Sequence, residues 1–89
     1  MVRVRRVVVS LREGRFTSIG SYPKFFHAAD GSVLSHEAVR SELGQVLRAT
    51  RDDSDRQWCI RGEDINWEDP SMYCEHTGDR IESAYGEAV

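Results

Sequence analysis

An α+β fold is predicted for this 89-residue chain, and three observations predict it. Val39, Leu43, Val46 and Leu47 recur at helical intervals. Short runs rich in Val, Ile, Phe and Trp, bounded by Gly, Pro and Asp turn signals, lie on both sides of that pattern. The chain is also too short to build a second core. The expected arrangement is a single domain spanning residues 1–89, a small and mostly antiparallel sheet covered by one amphipathic helix at about 36–50.

Taken in order, Val2-Arg3-Val4-Arg5 alternates apolar and basic residues before Val7-Val8-Val9, which predicts a strand. Glu13-Gly14 breaks it. Arg15 to Ile19 is expected to return as a second strand, and Gly20-Ser21 with Pro23 marks a break before Lys24-Phe25-Phe26-His27-Ala28. With Asp30-Gly31 as a further turn, this part reads as a hairpin or three-stranded meander with its arginine-bearing faces wet. A Val-rich edge is a place for two copies to pair, so a monomer or a homodimer is expected.

Ser35 stands where an N-cap hydroxyl would accept from an unpaired backbone N–H, and Glu37 suits the first turn of the helix. Gly44 costs roughly 1 kcal/mol relative to alanine, so the helix has to be held by packing its stripe on the sheet. Arg51-Asp52-Asp53-Ser54-Asp55 has no apolar member and reads as an exit loop. Gln57 to Arg61 reads as a strand, and Gly62-Glu63-Asp64 as a turn toward Ile65 to Glu68, which Pro70 ends. Met72-Tyr73-Cys74 and Arg80-Ile81-Glu82 read as short extended pieces around a tight turn. The expected core is Phe16, Ile19, Tyr22, Phe25, Phe26, Leu34, Val39, Leu43, Leu47, Trp58, Ile60, Ile65, Trp67, Tyr73, Ile81 and Tyr85.

No 18-residue apolar run and no signal-peptide pattern is present, so a cytoplasmic location without membrane association is expected. Two cysteines, Cys59 and Cys74, are too few for a disulfide scaffold and are expected to be reduced. No glycine pattern surrounds a serine as in a nucleophile elbow, and no glycine loop would cradle phosphate. Cys59, between Trp58 and Ile60, reads as an inert buried thiol rather than a partner of His76 or His27. Neither an enzyme nor a cofactor is expected.

The turn Cys74-Glu75-His76-Thr77-Gly78 has the shape of half a zinc site with only its first thiol, and Ser35-His36-Glu37-Ala38 is placed where the other half would sit. The segments around these turns, Tyr22-Pro23-Lys24-Phe25-Phe26 with Asp30-Gly31-Ser32-Val33-Leu34 and the ending Asp64-Ile65-Asn66-Trp67-Glu68-Asp69-Pro70-Ser71-Met72-Tyr73-Cys74-Glu75-His76-Thr77-Gly78-Asp79-Arg80-Ile81-Glu82-Ser83-Ala84-Tyr85, resemble small, largely uncharacterised proteins of bacteriophages and integrated elements that carry two CxxC knuckles. The resemblance spans roughly residues 20–86. It implies a zinc-ribbon-like scaffold whose four ligand positions would be Ser35, Ala38, Cys74 and Thr77. Only Cys74 is a thiolate ligand, and the usual spacings for His36, His76 and His27 are not met, so the expectation is a scaffold that has lost its metal.

The net charge of −3 divides unevenly. Residues 1–51 carry nine Lys or Arg against four acids, and residues 52–89 carry three against eleven. That is +5 followed by −8, an asymmetry that speaks to partners rather than fold. The acidic part, which includes Glu63 and Glu87, interleaves charge for steering with aromatics for anchoring, and the expected partner-binding residues are Asp64, Trp67, Glu68, Asp69, Tyr73, Glu75, Asp79 and Glu82. The resemblance implies a phage or mobile-element origin, and together with the small size and the missing active site, these residues point to a non-enzymatic protein that acts by protein–protein binding. It would inhibit host nucleic-acid-handling defence in the manner of anti-CRISPR proteins, with a host protein or ribonucleoprotein complex bearing a basic groove as partner. The plainer reading is that these acids solubilise a small domain. The alternative function is a zinc-ribbon-derived nucleic-acid-binding or regulatory module using Arg3, Arg5, Arg6, Arg12 and Arg15, with Phe16 and Phe26 for stacking. The pI of about 5.5 opposes direct nucleic-acid binding.

Overall fold

The N-terminal valines and arginines form a helix, α1 (Val2–Glu13), where the sequence pattern predicts a strand. The computed structural model describes residues 2–17 and 20–86 of the chain. Val7, Ser10 and Leu11 are buried at helical spacing, Val4 is half-buried on the same stripe, and Arg5, Arg6, Val9 and Arg12 are exposed. β-Branched residues lose side-chain freedom in a helix, so this one is held by its contacts with α3 and β3, introduced below, rather than by propensity. It stops at Gly14, whose φ of +97° is a conformation side-chain-bearing residues rarely adopt and whose N–H bonds the Ser10 carbonyl at 3.0 Å. Arg40 donates to the Leu11 carbonyl at 2.6 Å and closes the same end from outside. The Val-rich pairing edge expected from the sequence disappears with the strand.

The expected return strand at Arg15 to Ile19 reduces to a bridge between Phe16 and Pro23, with Lys24 N–H bonded to the Arg15 carbonyl. Ile19, like Glu87, lies outside the described residues, and the same holds for the Arg3 side chain. The sheet proper is β1 (Lys24–Ala28), β2 (Val33–Leu34) and β3 (Ile60–Ile65), all antiparallel in the order β2-β1-β3. β1 and β2 form a hairpin around Asp30-Gly31, where the Asp30 carboxylate accepts from the Ser32 N–H at 2.9 Å. Gly62-Glu63-Asp64, expected as a turn, lies inside β3: Phe26 faces Glu63 and Phe25 faces Asp64. Pairing with the central strand overrides local turn preference here. Arg61 is the extra residue of a bulge between the pairs His27–Gly62 and Ala28–Ile60.

The helix expected at 36–50 is two helices, α2 (His36–Ser41) and α3 (Leu43–Asp52). Ser35 caps α2, its Oγ accepting from Ala38 N–H at 3.1 Å. The interruption falls at Glu42, where the Ser41 hydroxyl donates to the Ala38 carbonyl at 2.9 Å and competes with the backbone ladder. Thr50, buried on α3, accepts from Ile60 N–H at 3.0 Å and fixes the helix to β3.

The core joins the helices to the sheet: Val7 and Leu11 share one cluster with Phe25, Phe26, Leu34, Val39, Val46, Trp58, Ile60 and Ile81. Three expected core aromatics are at the surface instead, Trp67, Tyr73 and Tyr85. Asn66, next to Trp67, and Ser83, two residues before Tyr85, are buried instead, each 2% exposed. No helix among the described residues is long and apolar enough to cross a membrane.

Candidate protein-binding surface

After β3 the chain forms no further regular element among the described residues, yet it is tightly held, and one side chain does most of the holding. The Asn66 amide donates to the carbonyls of Asp69 at 2.9 Å, Ile81 at 3.2 Å and Glu82 at 3.1 Å, and its oxygen accepts from Asp69 N–H at 3.2 Å. Its backbone N–H bonds the Pro23 carbonyl, and its carbonyl accepts from Ala84. Tyr85 N–H bonds the Trp67 carbonyl at 2.7 Å, so residues 66–69 and 81–85 run side by side. The approach is close enough that a side chain at Gly86 would overlap the Glu68 carbonyl.

This clamp faces Trp67, Glu68, Asp69 and Glu82 to solvent. The Trp67 and Tyr85 rings are nearly parallel, 12° apart with centroids at 6.1 Å, and Tyr22 lies 4.7 Å from Trp67. Trp67 is 42% and Tyr85 64% exposed, so the ring cluster is a surface feature with carboxylates on the segments that carry it.

Tyr73, Glu75 and Asp79 belong to the tight turn that follows. Tyr73 bridges Arg80, Cys74 N–H bonds the Asp79 carbonyl, and Gly78 N–H returns to the Cys74 carbonyl, both at 2.8 Å. All three predicted side chains are exposed. The turn is seated on β2 by Glu75 N–H to the Val33 carbonyl at 2.9 Å and by Ser35 N–H to Cys74 Sγ at 3.4 Å. Asp64, at the end of β3, is exposed and 3.9 Å from His27.

The structure thus brings the two predicted half-knuckles together. Ser35 and Cys74 touch, Ala38 N–H is bonded to Ser35, and Thr77 bonds to Cys74. Burial works to push the Cys74 thiol up, but hydrogen bonds from the Thr77 hydroxyl and the Ser35 amide outweigh it and hold the thiol below its usual value. Four such positions do not make a zinc site, because alanine offers no donor atom and the hydroxyls of serine and threonine are poor substitutes for thiolate or imidazole. Among the described residues no three His, Cys, Asp or Glu side chains converge on a point. Both cysteines are buried thiols.

The histidines are dispersed. His76 packs edge-on against Trp58, and the Cys59 thiol lies 3.6 Å from an Asp53 oxygen. His36 belongs to a buried polar cluster that sequence reasoning missed: its Nε2 is 3.2 Å from Ser10 Oγ and 3.8 Å from Glu63, Ser10 donates to Glu63, and Lys24 Nζ is 3.4 Å from Ser10 and 3.7 Å from Glu63. The imidazole stacks on Phe26 at 4.7 Å, and its Nδ1 has no partner among the described residues. Burial, with Lys24 next, depresses its pKa to about 4, so it is neutral at pH 7. Burial also pushes the Glu63 carboxyl up, against the pull of Lys24. Reading Val7, Ser10 and Leu11 as a helical stripe would have placed Ser10 in the interior, but nothing in the sequence aligns it with His36, 26 residues away.

All eight residues predicted for partner binding are therefore exposed, on the segments that Asn66 clamps, on the turn seated on β2, and at the end of β3. Compared with known proteins, the chain matches no family model, no curated protein and no solved structure.

Proposed function

We propose that this chain is a non-enzymatic binding protein of phage or mobile-element origin. In this reading it works in the cytoplasm of a bacterial host, where it inhibits nucleic-acid-handling defence machinery. Its carboxylates occupy a basic groove where phosphates would otherwise lie. The reading rests on one observation: the acids Glu68, Asp69, Glu75, Asp79 and Glu82 and the aromatics Trp67 and Tyr73 are all exposed on segments tied down by hydrogen bonds, residues 66–69 and 81–82 through Asn66 and the following turn through its own backbone and its seat on β2. Preorganised carboxylates lose little freedom on docking, and large exposed aromatics are the usual anchors of an interface. The absence of a carboxylate on His36 Nδ1 and the burial of Ser10 favour a structural role for the Ser10–His36 contact over catalysis.

The test is affinity capture from a bacterial lysate containing a CRISPR effector complex, run with the wild-type chain and with a variant carrying E68S, D69S, E75S and D79S. The expected result is capture by the wild type, loss with the variant, and competition by added nucleic acid and by salt. Equal capture by both chains, or capture by neither, overturns the reading.

A further inference from the structure

The second surface feature lies in the basic half of the chain, between α1 and β3. There the helix stands off the sheet and leaves an open cleft of about 540 Å³, inside the roughly 300–1,000 Å³ range of small-molecule sites. Val7, Val9, Phe26 and Ile60 contribute its apolar lining, and Val9 is 41% exposed there. Val7, Phe26 and Ile60 are buried beneath it, so Val9 is the apolar lining side chain whose surface a ligand can remove from water.

The charges around the cleft are unevenly satisfied. Glu63 and Glu13 both line it, but both share the Lys24 ammonium, at 3.7 and 3.9 Å, and Glu63 also accepts from Ser10. Arg61 lines it too and is paired with Asp53 at 2.6 Å. Arg5 and Arg6, one helical turn before Val9 and Ser10, are exposed and have neither an ion-pair nor a hydrogen-bond partner among the described residues; Arg6 acts on Glu63 only at a distance. Two carboxylates share one ammonium, so the cleft keeps a net single positive charge, presented by the two guanidiniums of Arg5 and Arg6, donors whose planar fork suits carboxylate and phosphate oxygens.

We infer that this cleft binds a small amphipathic anion, a phosphate or carboxylate carrying an aromatic or aliphatic body. The anionic head is held by Arg5 and Arg6, and the body lies against Val9. Ser10 lines the cleft, but its hydroxyl proton is committed to Glu63, so the donors left for the head are the guanidiniums at the rim. The acidic surface at the other end of the chain takes no part, so this site stands or falls independently of the proposed partner.

Phenyl phosphate is the probe, followed by amide chemical shifts of the full-length protein. The expected result is saturable shifts at Val9, Ser10, Arg61 and Gly62 at millimolar probe. Inorganic phosphate and phenol, the two halves of the probe, are each expected to bind roughly ten-fold more weakly or worse. R5Q/R6Q, which changes only exposed side chains, is expected to weaken phenyl phosphate by at least about ten-fold while leaving the unliganded spectrum of β1 and β3 unchanged. No saturable shift, shifts confined to residues 64–86, or undiminished binding by R5Q/R6Q overturns the site. So does binding of a single-stranded oligonucleotide at the same arginines with no effect of phenyl phosphate, which would make them phosphate contacts for nucleic acid.

Discussion

Nε2 of His36 lies 3.2 Å from the hydroxyl of Ser10, which joins the first residue of α2 to the third turn of α1 inside the protein. The imidazole is surrounded by Lys24, Glu63, Arg40, Arg15 and Glu37, and burial is the largest influence on it. Its pKa of about 4 is below the ordinary value of 6.5, so the unfolded chain binds the proton more readily than the folded one. The stability this group contributes is complete above pH 6.5 and is lost as pH falls toward 4. A loss on the order of 2–3 kcal/mol is expected across that window. Urea midpoints at pH 7 and pH 5.5 check it, with about 1 kcal/mol of that loss expected between them. His36→Phe should flatten the dependence, and an equally steep one in that variant would remove His36 as its cause.

The Asn66 clamp predicts that Asn66→Ala leaves three carbonyls short of a donor in a buried setting. Destabilisation of about 2–3 kcal/mol is expected. Trp67 sits directly beside the clamp, so its fluorescence should move with the loss. Gly86→Val is expected to loosen the same strip by collision with the Glu68 carbonyl, with the sheet intact. Trp67 emission and amide exchange of residues 81–85 are the measurements, and wild-type behaviour in both variants would contradict the clamp.

Arg40 ties α2 to the end of α1 through the Leu11 carbonyl. Replacing it with Met keeps the aliphatic stem and removes the donor. The expected cost is about 1–2 kcal/mol, as for a hydrogen bond from a charged group. Exchange protection should fall first at residues 10–14. Protection falling uniformly across the chain would place the effect elsewhere.

Cys59 and Cys74 are 0% and 1% exposed. Although Thr77 and Ser35 favour the Cys74 thiolate, a reagent cannot reach it, since reactivity needs access as well as ionisation. Neither thiol is expected to react with a bulky disulfide reagent in native protein, and both should react in urea. Rapid native labelling of Cys74 would show that the turn opens.

The elements legible in the sequence were those whose signals are local. Ser35 caps its helix because a hydroxyl before a helical stripe has an N–H within reach, and Asp30-Gly31 turns because an aspartate can bond the amide two residues on. The exposure of the acids between Asp64 and Glu82 was legible for a similar reason, since unpaired carboxylates are rarely buried. The strand predicted for Val2 to Val9 was a misreading of period: the valines satisfy a β-branched pattern and a helical stripe equally well, and the side that Val7, Ser10 and Leu11 share decides between them. Gly62-Glu63-Asp64 has turn chemistry but lies opposite the central strand.

What the sequence determined by itself was the composition of this protein: one small core, a basic first half, an acidic second half, and turns and caps at the positions their side chains specify. The tertiary structure alone decided what faces inward. It buried Asn66 and exposed Trp67, grouped Ser10, Lys24, His36 and Glu63 from four elements, and set Ser35 against Cys74. Those outcomes depend on pairings between residues far apart in the chain, whose energies are decided by packing and by the need to satisfy buried polar groups, and no local pattern records them.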